Sequence, residues 1–281
     1  MLGKLFKYDM RALSRTLVPL HAAVLALVAM GCAAGFAGYA IGEDAALSDA
    51  GALLAALALA TLFCLLALFA STVATFVLVL SRFYRNLFTD EGYLTLTLPV
   101  TANQVMLSKT LAGLLWVFMN VAVVGVGAAL VSLATFGFAG TTVEDTLPYW
   151  MLSVSGGGFF GTLFGIGGWG SVVLGLVGTA CQLVFGVLLA YLSLVLGARM
   201  AQRHKVAAGI GMYLLISWVI GLVGSVVGVA ASAAAFSAGS PSIDYEAFSL
   251  FLRVAGCALT AGMSVACYAL CVNLLKKAEL A

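Results

Sequence analysis

Few side chains in this sequence are of the kinds that carry chemistry, and their spacing argues against most of it. Gly165, Gly167 and Gly170 match GxGxxG literally. A dinucleotide-binding turn of that pattern needs a strand before it and a helix after it within a βαβ unit, and no strand pattern precedes these glycines. No GxxxxGK[ST] phosphate loop occurs in the sequence, so any ATP used by this protein must bind another chain. Cys267 and Cys271 are spaced to share a helix face, which suits a soft metal; the other reading is that each packs as a small hydrophobe. None of the 6 cysteines forms a CxxC pair, so neither a disulfide framework nor a zinc site is expected. His21 and His204 lie beside basic stretches and are expected at an interface rather than in a catalytic pair. Asn120 and Gln182 are the notable polar residues inside apolar runs. They either hydrogen-bond between helices or line a pathway. No Asp, Glu or His pairing sits deep in an apolar run, so a proton relay is not expected. The expectation is a chain that is not an enzyme and binds no cofactor or metal of its own.

The elements that position these residues are set by composition. The chain has 281 residues, 63% hydrophobic and 9% charged, with a mean hydropathy of +1.15. A soluble domain is about half apolar and about a quarter charged. Too few polar side chains remain here to cover a water-facing surface, so lipid is the expected solvent. The net charge of +2 is too small to suggest nucleic acid as a partner. Six apolar runs stand out, over 17–41, 52–80, 110–136, 172–198, 206–236 and 254–275. Each is long enough for the hydrocarbon core, which takes about 20 helical residues. A charge at mid-span costs about 2.5–3.5 kcal/mol on insertion scales, and these runs carry none. The run over 17–41 is too long for the apolar segment of a signal peptide and is expected to remain as a first span.

Orientation follows from the cations. With the N-terminus inside, Lys4, Lys7, Arg11, Arg15, Arg82, Arg85, Lys109, Arg199, Arg203, Lys205, Lys276 and Lys277 are all cytoplasmic, and only Arg253 falls outside. Glu43, Asp44, Asp49, Glu144, Asp145, Asp244 and Glu246 are then external. The expected fold is an all-α integral membrane protein, a single permease-like domain over 1–281 with six transmembrane helices and both termini cytoplasmic. Over 1–16, Leu2, Leu5, Phe6, Met10 and Leu13 fall opposite Lys4, Lys7, Arg11 and Arg15 at helical spacing. This predicts an amphipathic helix in the cytoplasmic interface. Asp9 breaks the pattern from the apolar side, where it snorkels, pairs with a neighbour or meets a partner. The 82–109 segment is expected as a cytoplasmic loop. Thr101 and Gln104 have capping-box spacing and mark the next helix start, and Lys109 is placed to snorkel. The 137–171 segment is expected as an external glycine-rich loop. Gly31 with Gly35, Gly38 with Gly42, and Gly224 with Gly228 allow close helix approach. Gly221, Gly224, Ser225 and Gly228 mark the fifth run as a candidate interior or mobile seam, the alternative being static packing.

One string has a recognisable look. RFYRNLFTDEGYLTLTLPVTANQVMLSK, residues 82–109, resembles the first cytoplasmic loop of bacterial ABC transporter permeases of the type-2 exporter class. RMAQRHKVAAGIGMY after the fourth run and YALCVNLLKKAEL at the C-terminus are similar to later parts of such permeases. The resemblance implies a six-helix half-transporter in the cell membrane. It pairs with a second permease subunit, as a homodimer or heterodimer, and docks separate cytoplasmic ATPase subunits that hold the ATP and Mg. It further implies that Asp90, Glu91, Gly92, Tyr93, Leu96 and Pro99 make the coupling contact with the ATPase. An apolar pathway would suit an amphipathic or apolar substrate such as a peptide, a lipid-like molecule or a drug. The competing readings are a non-transporting scaffold or sensor partner, or a secondary transporter. The last usually shows internal repeats, and no clear repeat relates the two halves of this chain.

Overall fold

The computed structural model describes residues 2–44, 51–88, 101–136, 168–201, 204–237 and 245–279. Every element among them is an α-helix: α1 (Leu2–Asp44), α2 (Gly51–Phe88), α3 (Ala102–Phe136), α4 (Gly168–Met200), α5 (Lys205–Ser237) and α6 (Tyr245–Glu279). Each contains a stretch long and apolar enough to cross a membrane, six candidate spans in all. The chain is a membrane protein with transmembrane helices. Helix is the required answer for these Leu-, Val- and Ala-rich runs whatever their intrinsic propensity. In hydrocarbon a backbone N–H or C=O finds no water, and a helix satisfies both within one segment.

The helices extend past the apolar runs that announce them. The amphipathic segment over 1–16 and the first span are not separate: α1 is one helix of 43 residues, about 65 Å long at 1.5 Å per residue. Nothing between Leu2 and Leu17 breaks a helix. Pro19 lies inside α1 and removes only one N–H, a loss that packed membrane helices tolerate. The amphipathic pattern itself is visible in the burial. Lys4, Lys7, Arg11 and Arg15 are exposed, while Leu13 and Leu17 are buried by protein. The expected 82–109 loop is also shorter, because 82–88 continues α2 and 102–109 already belongs to α3. Likewise 168–171, expected in the external loop, forms the first turn of α4. Thr101 caps α3 as its spacing predicts, with the Gln104 N–H donating to Thr101 Oγ1 at 3.4 Å and to its carbonyl oxygen at 2.9 Å.

The chain divides into two compact units, Met1–Arg82 with Leu111–Leu176, and Phe83–Thr110 with Val177–Ala281. In the first unit, α1 and most of α2 and α3 surround a core of Val24, Val28, Cys64, Leu68, Ala128 and Val131. Glycine sets how closely they approach. A Cβ on Gly31 would lie 2.7 Å from Cys64 Sγ and 3.2 Å from Val131 Cγ2, and one on Gly127 would lie 2.7 Å from Val28 Cγ2. Cys64 Sγ donates to the Leu27 carbonyl oxygen at 3.2 Å across the same approach.

In the second unit α4 is central, with 187–195 buried without interruption. Gly197 of α4 meets Gly209 of α5 backbone to backbone: a Cβ on Gly197 would lie 2.5 Å from Gly209 Cα and 2.8 Å from the Ala208 carbonyl carbon. α5 departs from this crossing, and 221–230 is exposed throughout.

Candidate functional site

Asp90, Glu91, Gly92, Tyr93, Leu96 and Pro99 lie outside the described residues, as do Gly165 and Gly167 of the GxGxxG match. What the structure describes is the pair of helix ends that flank 89–100. Both ends belong to the second unit.

On the α2 side, Tyr84 and Phe88 stack with ring centroids 5.7 Å apart, and Phe88 meets Phe83 edge-on at 6.5 Å. Phe83 in turn stacks on Tyr191 of α4, with centroids 3.9 Å apart and planes 11° from parallel. Phe83 is 2% exposed and Tyr191 1%. Aromatic pairs of this kind contribute about 0.5–1.5 kcal/mol beyond the area they bury. A phenol this deep requires an acceptor, and Tyr191 OH donates to the Lys109 carbonyl oxygen on α3 at 3.4 Å. Tyr191 therefore touches the end of α2 with its ring and the start of α3 with its hydroxyl.

On the α3 side, Tyr268 of α6 donates to Asn103 Oδ1 at 2.5 Å. Arg199, in the last turn of α4, donates from Nη2 to the Leu274 carbonyl oxygen near the end of α6 at 2.6 Å. A cation there also meets the negative end of the α6 dipole. Lys109, placed by the sequence to snorkel, is 8% exposed instead. Its turn of α3 is covered by protein in this unit, where its carbonyl accepts from Tyr191 OH. Arg85, Arg199, Lys205 and Lys276 stand at the ends of α2, α4, α5 and α6 in this unit.

The polar residues inside spans separate into two kinds. Asn120 is 2% exposed. It accepts from Thr75 Oγ1 at 3.1 Å through Oδ1 and donates through Nδ2 to Thr72 Oγ1 at 3.3 Å. It bridges α3 to α2 in the first unit, the helix-packing alternative of the two read from sequence. Gln182 is exposed on α4. Gly221, Gly224 and Gly228 are exposed on α5, and an added Cβ on any of them would have nothing within 4 Å among the described residues. The described chain therefore supplies no second wall for a seam at these glycines.

His21, expected at an interface, is 8% exposed. It lies on the face of α1 turned to α3, its ring 5.8 Å from that of Trp116. His21 Nδ1 is 2.7 Å from the Leu17 carbonyl oxygen, a separation only a protonated nitrogen bridges favourably, so in the neutral ring Nε2 is left as the acceptor. His204 is exposed, and its carbonyl accepts the Ala208 N–H at 3.0 Å. Among the described residues no three His, Cys, Asp or Glu side chains gather to hold a metal.

Phe83, Asn103 and Tyr268 were present in strings that drew notice in the sequence, but Tyr191, Thr72 and Thr75 were not singled out. The one available signal for Tyr191 was a phenol inside an apolar run, which needs a hydrogen-bond partner. For Thr72 and Thr75 nothing in sequence says which helix face meets Asn120. Among the described residues the arrangement brings together no nucleophile, base or metal set. It offers a mechanical joint, in which two helix ends beside a polar segment are held to α4 and α6 by aromatic stacking and hydrogen bonds. No family model, no curated protein and no solved structure matches the chain.

Proposed function

We propose that this chain is the membrane-spanning subunit of an ATP-driven exporter of the type-2 ABC class, without an ATPase site of its own. It works in a bacterial cell membrane with separate cytoplasmic ATPase subunits that carry ATP and Mg, and with a second permease subunit. The single observation that carries this reading is the 82–109 string, whose DEGYLTLTLPV core lies between an aromatic–basic stretch and Lys109. Three features support it. The six spans carry the bulk of the chain, the basic residues concentrate in the connections that the positive-inside rule assigns to the cytoplasm, and both flanks of 89–100 are fastened to other helices rather than left as lipid-facing ends. In this reading Tyr93 and the leucines Leu94, Leu96 and Leu98 fill a groove in the ATPase, while Asp90 and Glu91 pair with its cations or cap a short helix. Closure of the ATPase on ATP shifts the helices between two packings, and the driving force is the difference in ATP affinity between them. The uncharged spans suit an amphipathic or apolar substrate.

The test is retention. The chain, tagged and extracted in mild detergent from its native cells, should hold an ABC ATPase through purification. Tyr93→Asp should release the ATPase while leaving membrane insertion unchanged. An intact chain that neither retains nor stimulates an ATPase would sink the exporter reading in favour of a scaffold or sensor.

A further inference from the structure

The unit boundary crosses α2 between Arg82 and Phe83 and α3 between Thr110 and Leu111. The two helix ends that frame 89–100 thus pack with α4 and α6, while the rest of α2 and α3 packs with α1. On the α2 side the aromatic series Phe88, Phe83, Tyr191 reaches the buried 187–195 stretch of α4. On the α3 side Tyr191 OH takes the Lys109 carbonyl, and Tyr268 OH takes Asn103. Arg199 bound to the Leu274 carbonyl ties α4 to α6 at the same end. A close-packed interior has low compressibility, so a buried stack passes on a displacement instead of absorbing it.

We propose that Phe83, Tyr191, Asn103 and Tyr268 form a clasp that fastens both flanks of 89–100 to α4 and α6, and through which a movement of that segment is delivered to those two helices. Tyr191 is the centre of the clasp, because it touches both flanks, Phe83 with its ring and the Lys109 carbonyl with its hydroxyl. Tyr268 is a secondary tie, because its contact is one hydrogen bond at a partly exposed site. These are positioning residues. They touch neither ATP nor cargo, and the inference rests on the exporter reading for the source of the movement.

Two measurements separate the clasp from that reading. The first uses the whole chain alone in lipid nanodiscs and reads backbone hydrogen exchange. Phe83→Leu, which keeps apolar bulk but removes the stack, should speed exchange several-fold in 102–109 and in 188–194 together. Tyr191→Phe, which keeps the ring, should leave 188–194 unchanged and loosen only the α3 end. Loosening confined to the helix that carries the substitution would overturn the clasp. The second uses the complex with its ATPase and reads labelling of native Cys271 by a membrane-permeant maleimide. Cys271 is 0% exposed, one turn from Tyr268 on α6. Adding ATP and Mg to the wild-type complex should change its labelling rate several-fold. Phe83→Leu should retain the ATPase and its hydrolysis yet lose that change, and Tyr191→Phe should keep most of it. An undiminished ATP response in Phe83→Leu would overturn the route through the clasp. A wild-type chain that holds no ATPase defeats the exporter reading instead, and the exchange measurement still decides whether the clasp exists.

Discussion

α4 and α5 are consecutive helices of 33 residues each, and their most apolar stretches have the same mean hydropathy. Yet 28% of the α4 stretch is buried by protein and only 6% of the α5 stretch. The glycines show the same division. Gly197 and Gly209 let the two backbones touch at the start of α5, whereas Gly221, Gly224 and Gly228 farther along the same helix face open space among the described residues. Hydropathy reports that both helices tolerate lipid. It does not report which of them is surrounded by protein, because a Leu facing a lipid tail and a Leu facing another Leu are equally apolar.

The comparison is most directly broken by truncating matched aromatic residues on the two helices. Tyr191→Ala should cost about 3–5 kcal/mol, the range for a fully buried aromatic. Trp218→Ala, at a site 69% exposed, should stay within about 0.5 kcal/mol. Thermal unfolding in detergent, followed by dye capture of the buried thiols of Cys64, Cys267 and Cys271, reads both. Equal losses would mean that α5 is covered by something other than this chain.

Next in size is Gly197→Ala. The atoms its Cβ would strike belong to backbone at Gly209 and Ala208, which cannot swing aside, so about 1–3 kcal/mol should be lost. Asn120→Ala sharpens the contrast for polar groups. Removing the bridge to Thr72 and Thr75 should cost about 1 kcal/mol, in keeping with interhelical hydrogen bonds in membranes, while Gln182→Ala on the exposed side of α4 should cost less. The smallest effect belongs to Gly224→Ala, expected within about 0.5 kcal/mol for the isolated chain. If that variant instead weakens self-association measured by cross-linking in liposomes, the open face of α5 is where a second copy sits.

Much of the architecture was readable before any coordinates. The spacing of Thr101 and Gln104 placed the α3 N-cap because that signal is local: one hydroxyl and one N–H a turn apart. The alternation of Lys4, Lys7, Arg11 and Arg15 with Leu13 and Leu17 gave the exposed and covered sides of the α1 start for the same reason. The end of the expected interfacial helix at residue 16 was not readable. Charge and hydropathy change there, but helical geometry does not, and α1 runs on through Pro19. For His21 and Lys109 the sequence did not show that protein would cover them: His21 follows a basic stretch and Lys109 opens an apolar run, yet each is 8% exposed.

The candidate joint divides along the same line. The aromatic–basic string that contains Phe83 was evident, but its partner Tyr191 lies far along the chain, where a phenol in an apolar run signals a need for a hydrogen-bond partner without saying which. Composition, the lengths of the uncharged runs and the caps determine that this chain makes six membrane-crossing helices, since those properties depend only on neighbouring residues and on lipid as the solvent. Which side chains meet was decided by the tertiary structure alone: Phe83 on Tyr191, Asn120 between two threonines, one glycine pair in contact and three other glycines exposed. Such pairings depend on how helices rotate and cross, and inside lipid many rotations bury apolar surface equally well.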